Sequence, residues 1–236
     1  MGNTLTICKR ELGAYFNSPV AYVVITAYLV TAAVLYFVAV FMNGEASMRR
    51  FFLTAPLIFI FFAPAISMRL IAEEKRTGTI AMLFTLPVTD WEVVLGKFFA
   101  ALGVFTVAIF LTLAFPITIS TMGNLDWGVV VAGYIGLLML ASAYLAIGLM
   151  ASSWTENQVV AFIVAFSISF ALFLVGQLVS VLPPSLAPIL RYISIDAHFA
   201  NIARGVLDTR DVIYYLSLTG GCLFVAKQSL DSRRWR

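Results

Sequence analysis

Charge is what this chain has least of: 11% of its 236 residues are Asp, Glu, Lys or Arg, against 61% hydrophobic ones. A soluble globular domain carries roughly 25% charged residues, so that class is excluded. Cysteine and histidine are nearly missing as well. Cys8 and Cys222 stand far apart with no His or second Cys at ligand spacing, which removes both a disulfide framework and a metal site. The single histidine, His198, has no nucleophile and base at readable spacing beside it, so a hydrolytic centre has no parts. No G-x-x-x-x-G-K-[ST] occurs: Gly96-Lys97 is followed by Phe98, and Trp91 stands where the first glycine belongs. The chain therefore lacks the phosphate cradle of a P-loop nucleotide hydrolase. Its formal net charge of +3 is small, with basic residues at the ends and in one loop, and a membrane surface accounts for them without nucleic acid.

What the chain does have is apolar length, with a mean hydropathy of +0.97. Six runs, at 20–42, 51–68, 94–122, 129–151, 156–182 and 212–229, are read as transmembrane helices, the last one short unless Lys227 snorkels. Residues 1–18 lack a signal-peptide cleavage pattern, and Leu5, Cys8, Leu12 and Tyr15 line one face of an interfacial helix. Pro56 and Pro64 are expected to bend the second span. Gly133, Gly136, Ser142, Ala146 and Gly148 predict close helix approach in the fourth, within the chain or between copies. Ser153 with Glu156, and Thr155 with Gln158, fit the capping box that would open the fifth span near Glu156. Residues 183–211 are too charged to cross; Phe199, Ile202 and Val206 predict a short amphipathic helix ending near Gly205. The fold class is an all-α polytopic membrane protein, one transmembrane domain over residues 1–236.

Lys and Arg are biased towards the chain ends and the even-numbered loops, which puts both termini and residues 72–93 in the cytoplasm and residues 183–211 on the outer face. Arg49-Arg50 runs against the rule. Residues 72–93, AEEKRTGTIAMLFTLPVTDWEV, form the longest charged and turn-forming interruption between apolar runs. Ile80, Leu83 and Phe84 recur at helical spacing after Thr77-Gly78-Thr79, and Pro87 closes the segment. Such an amphipathic helix lies on the membrane surface or offers its apolar stripe to a groove on a soluble partner, and periodicity does not choose.

The chain resembles the membrane subunits of type-two ABC transporters. The resemblance is carried by EEKRTGTIAMLFTLPVTDWEVVLGKF at 73–98, GNLDWG at 123–128, GYIG at 133–136, GLMASSWTENQVVAF at 148–162 and HFANIARGVLDTRDVIYYLSL at 198–218. The combination is most similar to the gliding-motility-associated branch and to permeases serving nitrous oxide reductase maturation. It implies six spans and a cytoplasmic coupling helix after span two, to which Glu73, Glu74, Arg76, Thr77, Gly78, Thr79, Leu83 and Pro87 belong. Phe84 joins Leu83 on the apolar face by spacing. Thr155, Glu156, Asn157 and Gln158 mark a second cytoplasmic turn. The implied partners are a cytoplasmic ABC ATPase, which binds ATP and Mg, a second permease copy or a related permease, and membrane lipid. The implied function is a permease, an exporter in the bacterial inner membrane. A mechanical or assembly subunit driving envelope machinery would carry the same loops. A secondary transporter is disfavoured because the spans hold essentially no ionisable residue apart from positions such as Lys97.

Overall fold

In a bilayer every backbone N–H and C=O must be paired within its own segment, so long apolar runs have little choice but to be helical. The computed structural model describes residues 2–43, 47–79, 88–121, 123, 125–179 and 187–234. Among these there is no strand. Helices α1 (Gly2–Phe16), α2 (Pro19–Asn43), α3 (Arg49–Ser67), α4 (Arg69–Thr77), α5 (Asp90–Leu111) and α6 (Ala114–Ser120) come first. They are followed by α7 (Trp127–Trp154), α8 (Gln158–Leu178), α9 (Ala187–Ile193), α10 (Ile195–Ile202) and α11 (Thr209–Arg234). Five stretches among the described residues are long and apolar enough to cross a membrane: Pro19–Met42, Arg49–Arg76, Asp90–Ser120, Trp127–Trp154 and Gln158–Leu178.

Several boundaries differ from the sequence reading, each for a local reason. The second apolar run does not stop at Met68. Helix α3 passes through both prolines, and after an interruption at Met68 the chain continues helically as α4, so Glu73 to Arg76 sit on a helical extension of the span. Gly78, at φ 71°, ends α4 in the left-handed conformation that suits glycine. Helix α5 begins at Asp90 because Thr89 and Glu92 form a reciprocal capping box, so residues 90–93 belong to the span and not to the loop. That span is broken before Pro116, which cannot donate to the carbonyl of Thr112; Phe115 N–H at 2.9 Å and the Tyr134 hydroxyl at 2.9 Å supply the donors. The fifth span opens at Gln158 with Asn157 as its cap, not at Glu156, since Ser153 is still inside α7 and its hydroxyl donates to the Met150 carbonyl. In 183–211 the structure describes two short helices, and Val206 lies beyond them, exposed, after the left-handed Gly205.

Helix α7 is the axis of the bundle, buried along most of its length. Its small residues admit neighbours from the same chain. A Cβ on Gly133 would lie 2.4 Å from the Phe52 ring, one on Gly136 2.7 Å from Ile202, and one on Gly148 1.7 Å from Ser67 Oγ. These pairings show that α3 runs in the same direction as α7. Ser142 facing Thr219, and Ser229 bonded to the Ser153 carbonyl, show the same for α11. Helices α2, α5 and α8 run the other way. The bundle therefore has a Lys97 end, where α3, α7 and α11 finish, and a His198 end, where α9 and α10 sit. The 28 residues of α7 separate them by about 42 Å at 1.5 Å per residue.

Candidate functional site

The Lys97 end is where the apolar bundle becomes charged. Lys97 lies in the second turn of α5 and is 1% exposed. A buried ammonium is tolerated only when paired. Its Nζ is 2.7 Å from Glu74 Oε1 on α4 and 3.3 Å from Glu11 Oε1 on α1. One cation thus joins three elements far apart in sequence. Helix α1 is held on the same side by Tyr15, whose hydroxyl donates to the Ile66 carbonyl at 2.9 Å while Arg69 covers its ring at 4.7 Å. Burial pushes the Tyr15 phenol well above its ordinary pKa, and the hydroxyl remains a donor.

Helix α4 is fixed equally firmly to the end of α7. Ser152 Oγ donates to the Met68 carbonyl at 2.8 Å and accepts from the backbone N–H of Ile71 at 3.1 Å and Ala72 at 2.9 Å. It thereby fills the interruption between α3 and α4 with the groups that the helix break leaves open. Lys75 is buried, and its ammonium donates to the Ser153 carbonyl at the negative end of the α7 dipole. Ser229 of α11 donates to the same carbonyl at 2.8 Å.

A groove of about 440 Å³ opens beside this cluster, lined by Glu11, Arg69, Glu73, Glu74, Arg76, Lys97 and Gln158 among others. Of the residues singled out in the sequence, Glu73, Glu74, Arg76 and Gln158 meet here. Arg76 pairs with Glu73 at 2.8 Å, one helical turn apart. Thr77, Gly78 and Thr79 are exposed at the end of α4, where the Thr77 hydroxyl donates to the Glu73 carbonyl. Thr155 and Asn157 shape the short turn between α7 and α8, each side chain accepting a backbone N–H, and Glu156 lies between them. Leu83, Phe84 and Pro87 lie outside the described residues. Glu11, Arg69, Lys75, Ser152, Ser229 and Lys97 carried no site expectation in the sequence, Arg69, Lys75 and Lys97 counting there mainly towards the Lys and Arg bias.

No three His, Cys, Asp or Glu side chains among the described residues gather to hold a metal. What the cluster offers is mechanical: polar contacts that connect α4 to α1, α5, α7 and α11. Residues 14–214 match the family described as ABC-2 family transporter protein. No curated protein matches the chain. With a family match over most of its length and five helices able to cross a membrane, the chain belongs to the ABC-2 family and is a multi-pass membrane subunit of an ABC transporter.

Proposed function

We propose that this chain is the permease half of an ATP-driven exporter, moved by a separate cytoplasmic ABC ATPase that docks at the Lys97 end. The observation that supports this reading is the seating of α4. Because Ser152, Lys75 and the Glu74–Lys97 pair tie it to α7 and α5, and through Lys97 and the Ser153 carbonyl to α1 and α11, a displacement applied to the segment beyond it passes into the bundle as a lever stroke. Residues 72–93 supply the docking element, with Leu83 and Phe84 as its apolar face and residues 155–158 as a second contact. ATP and Mg are held by the ATPase. The reading adds α11 as a sixth crossing, since its 26 residues extend about 39 Å. It puts both termini in the cytoplasm of a bacterium, the bundle in the inner membrane, and a second copy or a related permease beside it to complete the path. Within the family, the gliding-motility and nitrous-oxide-reductase-maturation branches are those it fits.

The test is Leu83→Asp. An unpaired carboxylate forced into an apolar groove costs about 3 kcal/mol, which lowers an association constant more than a hundredfold. The variant is expected to stay folded in detergent and lose both ATPase capture and stimulated ATP hydrolysis. Retention of both rejects the docking role for this segment.

A further inference from the structure

At the opposite end of the bundle, α9, α10 and the start of α11 enclose a groove of about 530 Å³ whose lining includes Arg191, Arg204 and Arg210. All three arginines are exposed, and none makes an ion pair among the described residues. Two carboxylates share the groove and have to be accounted for. Asp211 is buried and bonded through Oδ1 to His198 Nδ1 at 2.6 Å. The other ring nitrogen of His198 faces the Tyr192 carbonyl at 3.1 Å. Asp208 is turned to the backbone, accepting from Arg210 N–H at 3.0 Å at the entry to α11. Three guanidiniums against the two carboxylates of Asp208 and Asp211 leave the groove positive.

Its level in the molecule matters as much as its sign. Tyr214 stacks on His198 at 4.1 Å and donates its hydroxyl to the Ile193 carbonyl at 2.6 Å, while Tyr192 is 69% exposed beside it. Tyrosines with an apolar body and a polar tip mark the water–bilayer boundary. The groove therefore sits where α11 passes from apolar to aqueous surroundings.

We propose that this groove binds a phosphate-bearing anion, with Arg191, Arg204 and Arg210 as its ligands. Guanidinium is the side chain best matched to phosphate oxygens, and three of them lining one groove without carboxylate partners leave their donors free for an anion. The inference does not depend on ATPase docking, which concerns the other end. The phosphate could belong to a phospholipid headgroup or be free in solution, and the experiment separates the two.

Full-length protein in a neutral detergent is titrated with short-chain phosphatidylglycerol, with diacylglycerol of the same chain length, and with inorganic phosphate, following the thermal midpoint and intrinsic fluorescence. Phosphatidylglycerol is expected to bind saturably and diacylglycerol not to. Phosphate at comparable concentration matches it if the ligand is a soluble anion and does nothing if the headgroup must arrive with its lipid; either result supports the site. Affinity is expected to fall about tenfold or more in Arg191→Gln/Arg204→Gln/Arg210→Gln and to weaken with ionic strength, and the triple Lys variant is expected to recover part of it. Because the three side chains are exposed, the unliganded midpoint should hardly move. Equal binding of diacylglycerol and phosphatidylglycerol with no response to phosphate, or unchanged binding by the triple Gln variant, overturns the proposal.

Discussion

Lys97 shows how one residue sets the cost of its neighbours. Glu74→Gln and Lys97→Met both break the same pair, but they leave different things behind. The first leaves an ammonium that is 1% exposed with Glu11, at 3.3 Å, as its one remaining carboxylate in the cluster; the second leaves two carboxylates whose side chains are 18% and 17% exposed and able to recruit water. Glu74→Gln is therefore expected to destabilise by about 1–3 kcal/mol, discounted for that partial exposure, and Lys97→Met by less. Unfolding midpoints in detergent decide the order, and the reverse order would mean the carboxylates are the desolvated partners. Gly148 makes the complementary point for volume. Its missing Cβ would fall 1.7 Å from Ser67 Oγ and 2.7 Å from Ser67 Cβ, so Gly148→Ala should cost about 1–3 kcal/mol and Ser67→Ala should restore only part of it. Full stability of Gly148→Ala would show that α3 has room to retreat.

At the scale of elements the informative object is the break between α3 and α4. One hydroxyl closes it, and Ser152→Ala strands the Ile71 N–H in the buried joint. A loss of about 1–3 kcal/mol is expected, together with looser coupling of ATP hydrolysis to transport under the proposed function. Hydrogen exchange at residues 69–77 should rise in the variant while α7 stays protected; unchanged exchange would show that the joint is held by packing alone. This joint also explains what the sequence disclosed and what it hid. Run lengths revealed the apolar helices because an unpaired backbone has no refuge in lipid. The Thr89–Glu92 box was legible too, but reading the charged loop through to Val93 passed over it. Ser152 looks like any small residue at a helix end. Glu11 and Glu74 look like surface charges until the fold brings them to Lys97, a meeting no periodicity encodes.

For the whole molecule, the alternation of helix directions makes topology a question with three probes. Thr77 ends α4 at the Lys97 end, Asn201 lies on α10 at the His198 end, and Ser232 lies in the last turns of α11; all three are exposed. Cys8 and Cys222 are replaced first, since both are free thiols. With the Lys97 end in the cytoplasm, Asn201→Cys should react with a membrane-impermeant maleimide in intact cells. Thr77→Cys should react only after the membrane is opened. Ser232→Cys carries the argument about the sixth crossing. Ser229 is bonded to the Ser153 carbonyl at 2.8 Å, so the last turns of α11 sit beside the end of α7, while Tyr215 near its start donates to the Ile195 carbonyl at 2.9 Å. On the proposed reading a helix fixed at both ends of the bundle is the sixth crossing, although it is not among the five stretches apolar enough to be recognised by hydropathy. Ser232→Cys is therefore expected to label with Thr77→Cys and not with Asn201→Cys. Labelling of Ser232→Cys in intact cells beside a protected Thr77→Cys would remove the sixth crossing. Labelling of Thr77→Cys in intact cells would invert the molecule and take the proposed ATPase docking site with it.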